Sequence, residues 1–237
     1  DTGDQEVRDL REAHGGQGSE PISGAADRTP VMLLSDVLEF EDQYTAQHSR
    51  WVVDLVDAVA DELGFDRESR QELEFAAMLH DVGKIAVPKE LLRKSSALTE
   101  PELEVIKRHT IEGQVILDRI GGLLARVGEI VRSCHERWDG LGYPDGLKGD
   151  EIPLASRIVF ACDAYNAMTT DRPYRKALDR AAALAEMRAN AGRQFDPRVI
   201  DALVHVIEQG QPALASTDDV RAVLVSSRLR HGATSAT

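Results

Sequence analysis

Residues 78–92 read MLHDVGKIAVPKELL, and within them His80 and Asp81 stand side by side. A histidine and an aspartate near a helix end can reach one metal ion, and a carboxylate can also bridge two ions. Gly83 would let the chain turn close to such a centre, and Lys84 supplies a compact cation for a phosphate group. The stretch therefore predicts a metal site for phosphate chemistry, with a charged turn at a helix end as the alternative.

The apolar residues on either side of this stretch follow a helical period. From Val31 to Leu63 they recur every three or four residues, which predicts an amphipathic helix that carries His48 on its apolar stripe and ends at Gly64. Asp66 is a plausible N-cap for the next helix, and Thr99 begins a capping-box pattern. The further predicted helices span about 66–80, 100–118, 123–135, 153–170, 179–191 and 196–209.

The remaining segments are loops and ends. Residues 136–153 are rich in Gly and Pro, which predicts a loop. Residues 1–29 predict a flexible leader or linker, and residues 213–237 a polar C-terminal tail. No alternating strand pattern is found, so the sequence predicts a single all-α domain over residues 31–212.

Charge and cysteine usage exclude several classes of protein. The 237 residues include 28 basic and 41 acidic side chains, a formal charge of −13 that disfavours duplex nucleic acid and anionic lipid as partners. Cys134 and Cys162 lack CxxC spacing, which argues against a disulfide framework or zinc ribbon and favours a cytoplasmic setting. No apolar run approaches the roughly 20 residues of a membrane span.

Four more side chains of ligand type fall on predicted helices. They are His48, His109, His135 and Asp163, and imidazole and carboxylate ligands suit Fe, Mn or Zn. A single histidine on an apolar face is more often structural, so their weight comes from joint placement with the His80–Asp81 pair.

At this point the sequence resembles the HD-GYP subgroup of the HD superfamily of metal-dependent phosphohydrolases. The matching segments run in the same order along the chain. They are HSRWVVDLVDAVADELG at 48–64, MLHDVGKIAVPKELL at 78–92, LTEPELEVIKRHTIEG at 98–113, HERWDGLGYPDGLKGDEIPLASRI at 135–158, DAYNAMTTDRPYRKAL at 163–178 and QFDPRVIDAL at 194–203.

The resemblance implies an HD-type helical bundle around two divalent metal ions, Fe or Mn, with Zn as an alternative. Asp81 matches the bridging carboxylate. Cys134 stands where the subgroup usually has the first of two adjacent histidines, so it is either a thiolate ligand or a small buried hydrophobe. The ligand positions implied are His48, His80, Asp81, His109, Cys134, His135 and Asp163.

The resemblance also implies substrate contacts. Arg172 and Arg175 match phosphate-binding positions, where guanidinium groups hold phosphate oxygens in a fork. Lys84 is expected to act with Asp81 in catalysis and to contact the substrate, and Asn166 replaces an aspartate that is usual in the subgroup. Tyr44 stands where members with three metals tend to have a glutamate, which favours two ions.

The segment Gly142-Tyr143-Pro144 matches the motif that gives the subgroup its name. The resemblance implies contacts of this loop with a diguanylate cyclase domain, and a stable turn is the alternative. A homodimer also stays open.

The implied function is metal-dependent hydrolysis of cyclic di-GMP to pGpG or GMP in bacterial second-messenger signalling. Two alternatives stay open. One is an inactive module that binds cyclic di-GMP or a partner protein, and the other is an HD phosphohydrolase for another nucleotide.

Overall fold

The computed structural model describes Val31, Leu34 and residues 43–94, 96–171 and 176–210, with the backbone alone for residues 43–50. Two short 3-10 turns, Val82–Ala86 and Gly149–Glu151, accompany the α-helices of these ranges. The helices are Gln43–Glu62 (α1), Arg67–Leu79 (α2), Lys89–Leu92 (α3), Glu100–Lys107 (α4), His109–Ile120 (α5), Leu123–Arg132 (α6), Leu154–Thr169 (α7), Arg180–Ala189 (α8) and Pro197–Glu208 (α9).

The caps expected at Asp66 and Thr99 are present, and α9 carries a further one at Asp196. The Asp66 carboxylate accepts a hydrogen bond from the Ser69 amide at 2.8 Å and so begins α2. At α4, the Thr99 amide donates to the Glu102 carboxylate at 2.8 Å. Asp196 caps α9 by accepting from the Arg198 amide at 2.9 Å. These caps confirm three of the predicted helix starts.

Two predicted helices differ from the observed ones. The single helix expected over 100–118 is divided at Arg108, whose amide reaches back to the Ile106 carbonyl, so that His109 begins α5. The helix expected over 123–135 ends at Arg132, because the amides of Ser133 and Cys134 donate to carbonyls three residues back. Cys134 and His135 therefore follow a helix end instead of lying on a helix.

The helices enclose one apolar core, and no strand occurs in the described ranges. Helix α1 packs against α2 and α7, α9 covers α1 and α7, and α5 lies along α6 and against the 3-10 turn Val82–Ala86. The largest fully buried apolar side chains include Leu73, Leu79, Leu117, Ile158, Met187, Ile200 and Leu203. The all-α prediction is confirmed.

Among the helices of the described residues, none combines the length and apolarity that crossing a bilayer requires. The predicted leader at 1–29 and tail at 213–237 lie outside the described residues, so the domain limits of 31–212 stay a prediction.

Candidate metal centre

His80 and Asp81 follow directly on the last residue of α2, and both are buried. The Nδ1 atom of His80 lies 2.8 Å from the Ala77 carbonyl oxygen. A carbonyl can only accept, so Nδ1 donates this hydrogen bond and Nε2 is the ring nitrogen on the side of Asp81. That Nε2 atom lies 3.5 Å from Asp81 Oδ2. Orientation of a histidine by a backbone carbonyl is typical of metal ligands.

His109 repeats this arrangement from the first turn of α5. Its Nδ1 atom donates to the Ile106 carbonyl at 2.8 Å, and its Nε2 atom lies 3.6 Å from Asp81 Oδ1. The buried Nε2 atom has no hydrogen-bond partner among the described residues. Burial lowers the pKa of His109, although Asp81 opposes the shift. A neutral, unpartnered ring nitrogen beside a carboxylate fits a metal ion, because coordination would satisfy it.

Asp81 is the charged centre of this group. Burial alone would raise its pKa, but electrostatic interaction with the Lys84 ammonium first, and then with His80 and His109, outweighs burial and holds the pKa well below its usual range. Lys84 Nζ lies 2.6 Å from Asp81 Oδ2. The Lys84 side chain is 37% exposed, so one ammonium group links the buried carboxylate to solvent.

Gly83 brings the two parts of the centre together by close packing. A Cβ atom at this position would lie 1.8 Å from the His109 carbonyl oxygen and 2.5 Å from the Gly113 amide nitrogen. The sequence suggested that Gly83 was needed for a backbone conformation that only glycine adopts. Gly83 does not have a positive φ, so the fold requires glycine here for its size and not for its backbone freedom. The missing side chain lets the 3-10 turn lie directly on the first turn of α5.

His135 completes a group of three ligand-type side chains. One ligand atom from each of Asp81, His109 and His135 lies within 4.8 Å of the others. The His135 ring meets the His109 ring edge-on, with centroids 5.1 Å apart. Burial and the nearby His109 lower the pKa of His135 to about 4. At neutral pH the imidazole is therefore uncharged, the form that binds metal.

Of the other predicted ligands, those whose side chains the structure describes, His80, Cys134 and Asp163, lie outside this group of three. Cys134 is buried in the apolar core, and burial, with Asp81 and Asp163 adding to it, raises the pKa of its thiol well above the usual range. Asp163 lies on α7, and its charge acts on both Cys134 and His135. Asn166 lies on the same helix and is buried. The side chains of His48, Tyr44, Arg172 and Arg175 lie outside the described residues.

The loop that contains Gly142, Tyr143 and Pro144 packs against the metal-site residues. The Tyr143 ring stacks on the His135 ring, with centroids 5.2 Å apart and planes at 24°. At the loop tip, by contrast, Leu141 is 76% exposed. For this loop, a stable turn was the alternative to a partner contact. The turn packs directly on His135, a residue of the candidate metal centre.

Sequence reasoning missed Glu136, which holds this loop. Its Oε1 atom accepts from the amides of Asp145 and Gly146 at 2.6 and 3.0 Å, and only 1% of the residue is exposed. A glutamate within a Gly-rich loop is ordinarily a solvated residue. Its adjacency to His135 is the only signal that the sequence offers.

Comparison with known proteins identifies the family to which this chain belongs. The family model described as HD domain matches residues 28–199. The chain is 41% identical over 179 residues to a cyclic di-GMP phosphodiesterase response regulator of Xanthomonas campestris, with 75% of this chain and 47% of that protein aligned. It is 37% identical over 181 residues to 3'3'-cGAMP-specific phosphodiesterase 1 of Vibrio cholerae, covering 76% of this chain and 42% of that protein. The chain thus spans about half the length of the curated relatives it matches.

A solved structure shares the fold. Bd1817, a HDG"Y"P protein from Bdellovibrio bacteriovorus, superimposes with a TM-score of 0.56 at 23% identity, over 69% of this chain and 52% of that one. At that identity the likeness concerns the fold alone. With the family match over most of the helical region and the matching motifs, the chain belongs to the HD domain family, in its HD-GYP subgroup.

Proposed function

We propose that this domain is a metal-dependent phosphodiesterase that hydrolyses cyclic di-GMP to pGpG or GMP in bacterial second-messenger signalling. The observation that carries the proposal is the unpartnered Nε2 atom of His109 within the group formed with Asp81 and His135. The activities for which the relatives are named, on cyclic di-GMP and on 3'3'-cGAMP, support a cyclic dinucleotide as the substrate class.

The proposed centre holds two divalent ions, Fe or Mn, with Zn as the alternative. Asp81, His109 and His135 would be the first ligands, with Asp81 as the carboxylate shared by the two ions. Such ions would lower the pKa of a water molecule and offset charge on phosphoryl oxygens. The ligand set is completed by His48, His80, Cys134 and Asp163.

The chain's own side chains would bind and orient the substrate. The Lys84 ammonium group, already at the buried carboxylate and partly exposed, would bind a phosphoryl oxygen. Arg172 and Arg175 would hold the phosphates in bidentate contacts. Asn166 would orient the substrate by hydrogen bonding, without the charge of an aspartate.

Contacts with a diguanylate cyclase domain through Gly142, Tyr143 and Pro144, and a homodimer, remain proposals. Leu141, which is exposed at the tip of this loop, marks the part that a partner could reach. The cytoplasm remains the expected location, on the basis of the two free cysteines, Cys134 and Cys162.

A binding module without turnover is the second candidate, and Cys134 is the observation that favours it. Its buried thiol, with a pKa well above the usual range, is a poor ligand unless a metal ion displaces the proton. If Cys134 stays protonated, the second ion loses a ligand, and the pocket would bind a nucleotide without cleaving it.

A substrate panel tests the proposal. The chain, loaded with Mn²⁺, would be incubated with cyclic di-GMP, 3'3'-cGAMP and cyclic di-AMP, with chromatographic detection of linear products. Linear products from cyclic di-GMP, absent from Asp81→Asn, support the phosphodiesterase. Binding of cyclic di-GMP without product supports the inactive binding module. Preferential cleavage of another nucleotide supports an HD phosphohydrolase with a different substrate.

A further inference from the structure

The three histidines of the candidate centre are oriented in two different ways. His80 and His109 each donate a hydrogen bond from Nδ1 to the carbonyl three residues back. No hydrogen bond reaches either ring nitrogen of His135 from any described residue. His135 lies three residues beyond Arg132, the last residue of α6. Among the described residues, ring contacts are therefore the interactions that can orient the imidazole.

Aromatic contacts surround the His135 ring instead. Tyr143 stacks on it at 5.2 Å between centroids, and Phe160 meets it edge-on at 6.0 Å with an interplanar angle of 86°. The Tyr143 amide also donates to the His135 carbonyl at 3.2 Å. Lys107 Nζ lies 5.7 Å from the centroid of the Tyr143 ring. Aromatic pairs of this kind stabilise their relative geometry beyond the burial of apolar area.

The chain on both sides of Tyr143 is held firmly. A Cβ atom on Gly142 would lie 2.3 Å from the Arg137 amide nitrogen and 2.5 Å from Glu136 Cα, so only glycine lets the loop approach this closely. Beyond Tyr143, Glu136 accepts from the amides of Asp145 and Gly146. The Arg132 guanidinium donates two hydrogen bonds to the Asp145 carboxylate, from Nε at 2.6 Å and from Nη2 at 2.7 Å.

We propose that Tyr143 is a positioning residue that fixes the His135 imidazole for metal binding by ring stacking. The inference rests on the proposed function, since it assigns His135 to the metal centre. It gives the Gly142-Tyr143 pair a role at the site itself, separate from any partner contact. Gly142 permits the close approach of the loop. The Tyr143 ring would then orient the His135 imidazole, as backbone carbonyls orient the imidazoles of His80 and His109.

The test measures metal affinity apart from turnover, with Co²⁺ as the probe. The unmodified chain, Tyr143→Phe, Tyr143→Met and the loop control Leu141→Ala would be titrated anaerobically while the ligand-field absorption is recorded. Tyr143→Met keeps apolar bulk without a ring, and we expect about 10- to 100-fold weaker Co²⁺ binding with an altered spectrum, as for lost outer-shell partners of metal ligands. Tyr143→Phe keeps the ring and should match the unmodified chain, as should Leu141→Ala.

The thermal midpoint of each metal-free variant separates orientation from folding. Equal Co²⁺ affinity and spectrum in Tyr143→Met would overturn the inference, as would a loss in Tyr143→Phe equal to that in Tyr143→Met. If Tyr143→Met does not fold, Arg132→Gln decides, because it loosens the loop at Asp145 and leaves Tyr143 intact. Weaker Co²⁺ binding in Arg132→Gln supports the inference, and unchanged binding overturns it. No Co²⁺ binding by the unmodified chain would instead contradict the proposed metal centre.

Discussion

The Nε2 atom of His109 lies 3.6 Å from the Oδ1 atom of Asp81, and both side chains are buried. The other ring nitrogen of His109 donates to the Ile106 carbonyl, so Nε2 presents a lone pair. Two acceptors thus face each other without a proton between them. Such an arrangement is unfavourable in a low-dielectric interior unless a cation binds both.

A divalent metal ion should therefore stabilise the fold through Asp81. With Mn²⁺ at 100 times its Kd, we expect the free energy of unfolding to rise by about 2.7 kcal/mol. Thermal unfolding in Mn²⁺ and in EDTA measures the difference. Asp81→Asn should lose the Mn²⁺-dependent shift, and the exposed-carboxylate control Asp118→Asn should keep it. An equal shift in Asp81→Asn would show that the ion binds elsewhere.

Substitution of Gly83 should be far more disruptive than substitution of Gly64. A Cβ atom at Gly83 collides with the backbone of His109 and Gly113, so Gly83→Ala should cost more than about 3 kcal/mol, beyond the usual range for overpacking. Gly64 has a φ of 73° and nothing within 4 Å of the added carbon. Gly64→Ala should then cost about 1 kcal/mol, from backbone strain alone. Urea unfolding of both variants measures these costs, and similar values would refute the close-packing role.

Lys84→Met should separate turnover from metal retention. The ammonium group lies at Asp81 Oδ2 but is absent from the proposed ligand set, so metal content should stay unchanged. Loss of a cation that stabilises phosphoryl charge should lower kcat by about 100-fold or more. Elemental analysis and steady-state kinetics on the same sample measure both, with Lys89→Met as the matched control. Parallel loss of metal and activity would contradict this division.

Asp196 should make stability depend on pH in the acid range. Burial alone would raise its pKa, but hydrogen bonds from Arg198 and Arg157 outweigh burial and lower the pKa. Because the folded pKa lies below the unfolded value of about 3.9, the contribution is complete above that pH. It is lost as the pH falls through the lowered folded pKa.

Asp196→Asn should therefore lower the free energy of unfolding by about 2 kcal/mol at pH 7, the usual scale for hydrogen bonds to a charged group. Below pH 4 the gap to the unmodified chain should narrow. Urea unfolding across this range measures it, and Asp150→Asn, an exposed partner of the same arginines, is the control. A gap that stays constant with pH would contradict the assignment.

Local sequence patterns predicted the helix ends, because these depend on residues close by in the chain. The caps at Asp66 and Thr99 and the glycine that ends α1 are decided within a few residues, so a single sequence reveals them. The matched motifs also predicted that Asp81, His109 and His135 belong to one centre.

Features that depend on contacts across the chain could not be predicted in the same way. The clash that forbids a side chain at Gly83 involves backbone about 26 residues further along, where helix packing alone sets the distance. The burial of Glu136 depends on the path of the loop that it caps. The break at Arg108 is a tightening of one helical turn, for which propensity gives no warning.

We propose that Asp81, His109 and His135 belong to a metal centre that cleaves a cyclic dinucleotide. The most direct measurement is to purify the chain anaerobically, count the metal ions per chain, and follow cyclic di-GMP turnover in that same sample with Fe or Mn supplied. We expect two ions per chain, with pGpG or GMP as product. A chain that retains no metal and forms no product with either ion would contradict it.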